Sequence, residues 1–170
     1  MMLGLSSLGA VHTAFAFVAV VCGYAMIFRF GRIGAALRFG KTYVACTVIA
    51  CLTSFGIFMH GGFNIAHALG ILTLLVLAIA WIAGRSAAWS RPAKYLETLG
   101  YTATLFFHMI PGTTETFTRF PVGAPLFTGP DDPNLQKVIG IILLVFIIGM
   151  ALQVRQIRRK PAPMRRTSLV

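Results

Sequence analysis

The strongest constraint on this chain is a series of five apolar segments separated by short polar stretches. The segments cover about residues 8–28, 42–59, 65–83, 95–110 and 138–152. A helix needs roughly 20 apolar residues to cross about 30 Å of hydrocarbon. We therefore predict an all-α, polytopic transmembrane helical bundle of about five helices over residues 1–154. An outer loop at 111–137 and a basic cytoplasmic tail at 155–170 complete the predicted organisation.

The composition excludes an ordinary soluble domain. Of the 170 residues, 57% are hydrophobic and only 11% are charged. A soluble protein needs more charge to cover its surface, and a chain of this length has no large core in which to bury so many apolar side chains.

The positions of the basic residues predict the orientation. Four Lys and Arg residues lie in 29–41, three in 85–94 and six in 155–170. Five crossings place all three groups on one side, which the positive-inside rule identifies as cytoplasmic. We expect an uncleaved first helix, the N-terminus outside and the C-terminus in the cytoplasm. The predicted location is the bacterial inner membrane, as a multi-pass protein.

The net charge of +11 is explained by this topology, and we expect no nucleic-acid partner. The expected partners are the lipid bilayer itself, anionic lipid headgroups at the basic tail, and other membrane subunits or further copies of the chain.

The histidines lie at similar predicted depths. His12, His60, His67 and His108 are 17, 19, 18 and 14 residues from the basic boundary of their own segment. At about 1.5 Å per residue, all four lie roughly 21–28 Å from that boundary, toward the outer leaflet. Ionisable residues in membranes are rare and often mark cofactors or proton relays.

Several functions are compatible with this histidine layer. The first hypothesis is a redox or sensing protein that binds haem b or a transition metal, with His12, His67, His108 and His60 as ligands in that order and His12 with His67 as the preferred pair. Covalent haem is excluded because the chain has no CxxCH. Alternatively, the histidines only form interhelical hydrogen bonds, with His60 capping a helix.

Two other hypotheses stay open. One is a non-catalytic accessory or assembly subunit of a larger membrane complex, and the other is a proton or small-solute path in an oligomer. No catalytic motif decides whether the protein is an enzyme.

Four minor expectations follow from residue type and spacing. Three cysteines in apolar segments are expected to be buried thiols, Glu115 and Arg119 have ion-pair spacing, and Asp131 with Asp132 indicates a turn. Aromatic residues near the cytoplasmic ends are expected to be interfacial anchors: Tyr24, Tyr43, Trp81, Trp89 and Tyr95.

The motif His-Gly-Gly-Phe-Asn-Ile-Ala-His-Ala-Leu-Gly at 60–70 and the first helix, which opens with His12, resemble a bacterial inner-membrane family. That family is catalogued as a predicted membrane protein domain of unknown function, and the resemblance covers segments one to three. It implies the topology above but no settled activity. The family pattern has a histidine before a Gly-basic-x-Tyr element, whereas Phe-Gly-Lys-Thr-Tyr at 39–43 lacks it, so a site that needs this histidine would be absent.

Overall fold

A computed structural model describes residues 6–57, 62–86 and 90–159. Within these ranges the protein consists of five helices and no strand, which confirms the predicted all-α class. The helices are α1 (Ser7–Phe30), α2 (Arg38–Ser54), α3 (Ile65–Ser86), α4 (Arg91–Phe117) and α5 (Pro133–Arg159).

Local sequence signals explain several helix ends. The Ser6 hydroxyl accepts a hydrogen bond from the Gly9 amide (3.1 Å) at the start of α1, and Gly31 ends the helix with a left-handed φ of 71°. The Ser90 hydroxyl accepts from the Ala93 amide (3.2 Å) at the start of α4, where Pro92 occupies the first turn.

In the part of the chain that the structure describes, three helices are long and apolar enough to cross a membrane: Ser7–Phe30, Ile65–Arg85 and Pro133–Arg159. Only 11% of the apolar window of α5 is buried inside the protein. α2 has 17 residues, which corresponds to about 26 Å, and α4 carries a buried polar face.

The helices pack as neighbours along the chain. α1 packs along α2, α3 along α4, α2 also contacts α3, and α5 packs against α4. We call the end where α1, α3 and α5 finish the basic end, since Arg29, Arg85 and Arg158 lie there in the last turns. We call the opposite end, which carries His12, His67 and His108, the histidine end.

The prediction that the fourth helix ends at Ile110 is wrong. α4 continues through Pro111 to Phe117, so the following loop begins at Thr118 and is shorter than predicted. Pro111 removes one backbone hydrogen bond, the one from its missing N–H to the Phe107 carbonyl, and the turns on both sides of it stay helical.

Other helix ends also differ from the apolar segments. α2 begins at Arg38 and α5 extends from Pro133 to Arg159, because polar turns continue the helices past their apolar parts. The first residues of the predicted basic tail are therefore helical. α2 ends at Ser54, before the predicted position 59.

The anchor role predicted for Tyr43 is wrong. Its side chain is fully buried against other helices, because its hydroxyl bonds to Thr104 and Tyr101 of α4. The three cysteines are buried and free, as predicted: Cys22, Cys46 and Cys51.

Candidate functional site

A cavity of about 470 Å³ lies among α1, α2, α3 and α4 at the histidine end. Most of its wall is apolar. The polar and charged side chains that line it include His12, Thr13, His67, Thr73, His108 and Arg119. Three of the four candidate histidines therefore line one cavity, each on a different helix, whereas His60 lies outside the described residues.

His12 is oriented by the backbone of the neighbouring helix. Its Nδ1 lies 2.8 Å from the Ala50 carbonyl oxygen of α2. A carbonyl only accepts hydrogen bonds, so Nδ1 carries the proton and Nε2 of the neutral ring carries the lone pair. The Thr53 hydroxyl lies 2.8 Å from the Ile49 carbonyl and 3.0 Å from the Ala50 carbonyl and donates within its own helix.

His67 is held by the start of its own helix and by aromatic rings. Its Nδ1 lies 3.0 Å from the Asn64 side-chain oxygen, which also accepts from the Ala66 amide (2.9 Å) in the first turn of α3. The imidazole stacks on Phe55 at 6.3 Å and lies 5.5 Å from the Phe63 ring. These contacts leave the buried ring little freedom to rotate.

His108 is buried between α4 and α2. Its Nε2 lies 3.0 Å from the Thr47 hydroxyl, and its ring packs edge-on against Tyr43, with 6.4 Å between centroids. It also lies within electrostatic range of His12.

The cavity opens beside an ion pair at the end of α4. Glu115 and Arg119 form the predicted salt bridge, and their side chains are 54% and 32% exposed. The sequence predicted the pair but not its place at the cavity, because the fourth helix was expected to stop at Ile110.

Within the described residues, the cavity histidines do not form a compact metal-binding cluster. Across 6–57, 62–86 and 90–159, no three His, Cys, Asp or Glu side chains lie close enough together to hold one metal ion. Asp131 and Asp132 lie in the predicted turn, where the Asp132 amide donates to the Gly129 carbonyl (3.1 Å).

Sequence reasoning missed a row of buried polar side chains that leads from the cavity toward the basic end. We call it the polar row, and it consists of Glu97, Tyr101, Thr104 and His108 of α4 with Tyr43 and Thr47 of α2. The α4 members recur at intervals of four, three and four, which places them on one helix face. That periodicity was visible in the sequence, but it does not reveal which neighbour the face contacts.

Over residues 6–57, 62–86 and 90–159, the chain is an all-helical protein with three helices long and apolar enough to cross a membrane and a histidine-lined cavity between its helices. No family model matches the chain, and comparisons with curated proteins and with solved structures found no match.

Proposed function

We propose that this chain is a polytopic inner-membrane protein that holds a b-type haem in the histidine cavity and takes part in electron transfer or redox sensing. The observation that carries the proposal is the convergence of three imidazoles, from α1, α3 and α4, on one largely apolar cavity.

The distribution of apolar surface supports the membrane part of the proposal. Large apolar side chains on α1, α3 and α5 face outward, including Phe17, Leu75 and Ile141. Exposed apolar surface of this extent is unfavourable in water and suits contact with lipid. α2 and α4 are less apolar but can also cross the membrane, because much of their surface contacts other helices instead of lipid.

The lining of the cavity suits a haem. Apolar walls accommodate the macrocycle, and imidazoles are common axial ligands of haem iron. A volume of about 470 Å³ lies within the range of small-molecule pockets.

His12 and His67 are the proposed ligands. The bond from His12 Nδ1 to the Ala50 carbonyl has the form that usually orients a ligating histidine, since it fixes the tautomer and raises the basicity of Nε2. His67 is held by Asn64 in a fixed position on the facing helix. A bound haem would supply reversible one-electron chemistry.

The test is a visible absorption spectrum of the mildly solubilised protein, oxidised and then reduced with dithionite, with metal analysis on the same sample. We expect a Soret band and sharp α and β bands after reduction. His12→Ala and His67→Ala should each lose the bound haem. Val21→Ala, an outward-facing position on α1, is the matched control and should keep it.

Two results would overturn the proposal. A wild-type protein with neither haem nor a stoichiometric transition metal, after expression with ample haem and metal, would refute cofactor binding. Full haem retention in both histidine variants would refute the ligand assignment.

The remaining functional hypotheses stay predictions. They are a non-catalytic accessory or assembly subunit, and a proton or small-solute path in an oligomer. For the tail we propose contact with anionic lipid headgroups, supported by Arg155, Arg158 and Arg159 on the exposed last turns of α5.

A further inference from the structure

The polar row connects the cavity with the basic end through a succession of neighbouring groups. From the cavity, His108 Nε2 is 3.0 Å from the Thr47 hydroxyl, and Thr47 lies beside the Tyr43 hydroxyl. The Tyr43 hydroxyl is 2.7 Å from Thr104 Oγ1 and 3.3 Å from the Tyr101 carbonyl. Thr104 Oγ1 also lies 2.9 Å from that carbonyl, so one of the two hydroxyls donates to the carbonyl and the other donates to the neighbouring hydroxyl.

The row continues to a carboxyl group at the basic end. Tyr101 stands one turn before Thr104 on α4, and its ring meets that of Tyr43 edge-on at 6.3 Å. Glu97 stands one turn earlier still, within electrostatic range of the Tyr101 hydroxyl. Glu97 Oε2 is 3.5 Å from the partly exposed Arg32 guanidinium, so this end reaches the surface.

The Tyr101 hydroxyl makes no described hydrogen bond that would explain why this buried position carries a tyrosine. The side chain is fully buried, and among the described residues its hydroxyl has no hydrogen-bond partner; the same holds for the Thr98 hydroxyl on the next position of the face. A buried polar group left unpaired is unfavourable and calls for an explanation. Phenylalanine would fill the same space without this penalty.

The Glu97 carboxyl is the titratable group at the basic end of the polar row. The carboxyl is almost completely buried, and the cations that act on it are Arg32 and Lys94. On α3, Gly84 packs against the Glu97 side chain. A Cβ added at Gly84 would lie only 3.0 Å from Glu97 Oε1. α5 contributes the uncharged Gln153 nearby, bonded to Thr102 (3.0 Å).

We propose that the polar row is a proton path between the basic end and the histidine cavity. A proton from water at the basic end binds the Glu97 carboxylate and passes to His108 by successive hops. Each hydroxyl accepts a proton on a lone pair and releases its own to the next group, with a transient water beside Tyr101 as one member. At the other end His108 releases its proton to the cavity.

The balance of the step is one proton taken up at the basic end and one delivered to the cavity. No covalent bond to carbon changes and no electron moves. The path does not depend on what the cavity binds, so it stands apart from the haem proposal.

The experiment uses the full chain in liposomes that contain a pH-sensitive dye, with a potassium gradient and valinomycin to set the driving force. We expect proton uptake above that of protein-free liposomes. Tyr101→Phe should lower this flux by about tenfold or more. It removes only a hydroxyl with no described partner, so the fold and the thermal unfolding midpoint should be preserved.

A second variant and a control make the test decisive. Glu97→Gln keeps the shape of the side chain and should also lose the flux. Tyr24→Phe, a half-buried tyrosine outside the polar row, should conduct like the wild type. Wild-type flux equal to that of empty liposomes, or unchanged flux in Tyr101→Phe, would overturn the proton path. The haem spectrum is read separately, so failure of one proposal is distinguishable from failure of the other.

Discussion

At the scale of single residues, Asp132 joins the loop between α4 and α5 to the start of α5. One carboxylate oxygen accepts from the Thr128 amide (3.0 Å) and hydroxyl (3.2 Å), and the other accepts from the Asn134 amide (2.9 Å) in the first turn of the helix. These hydrogen bonds favour the charged form and lower the pKa of Asp132 below its usual value. The bond from the Thr128 amide has the largest effect, and the bond from the Asn134 amide has the next largest.

This lowered pKa predicts acid sensitivity at the start of α5. The folded pKa lies below the unfolded one, so the stabilising contribution is present above the usual aspartate pKa of about 3.9 and is lost as the pH falls through the lowered value. Hydrogen exchange, corrected for intrinsic rates, should show protection around Asn134 falling over that range. Asp132→Ala should have low protection at every pH.

The neighbouring carboxyl provides the control for this prediction. Asp131→Ala removes an exposed side chain from the same turn and should keep the wild-type pH profile. An identical effect of both substitutions would show that the loss of charge in the loop, and not the cap, is responsible.

At the scale of helices, small residues set the distance between α3 and α4. A Cβ added at Gly100 would lie 2.8 Å from the Ala80 Cβ and 3.6 Å from the Val76 carbonyl oxygen. An alanine methyl group cannot rotate away, so the two helices would have to separate. Close backbone approach through small residues is typical of helix pairs in membranes.

Gly100→Ala should therefore destabilise the protein by about 1–3 kcal/mol, the usual range for overpacking. Gly149→Ala is the matched control, because nothing lies within 4 Å of a Cβ at this helical position of α5. It should be neutral or stabilising by up to about 1 kcal/mol through helix propensity. Thermal unfolding of all three proteins in one detergent measures both effects, and a Gly100→Ala variant as stable as Gly149→Ala would contradict the packing argument.

At the scale of the whole molecule, the proposed topology requires α4 to cross the membrane although it is not among the most apolar helices. Its polar side chains are turned toward α2 and α5, as the bonds of Thr104 and Thr102 show. A helix whose polar face is covered by protein need not be apolar all round, since lipid contacts only the remaining surface.

Labelling with a membrane-impermeant maleimide tests this topology. Val122→Cys, 75% exposed in the loop after α4, should react in intact spheroplasts, whereas Leu37→Cys in the first basic loop should react only after permeabilisation. The native cysteines are buried and should give little background. Protection of both positions in intact spheroplasts would show that α4 does not cross.

The sequence by itself determined the all-α class and the approximate position of each helix. The length of an apolar run is a local property, and Ser6, Gly31 and Ser90 are local end signals. It did not determine where α4 ends, because a proline removes one backbone hydrogen bond from a helix and the helix can still continue past it.

Only the tertiary structure decided which histidines meet and what the polar face of α4 contacts. Depth along the bundle follows from counting residues, so the shared layer of His12, His67 and His108 was predictable. The direction in which each side chain points depends on the rotation of its helix, which packing against neighbours fixes. For the same reason Tyr43, expected at the lipid interface, is buried against Thr104 and forms the centre of the polar row.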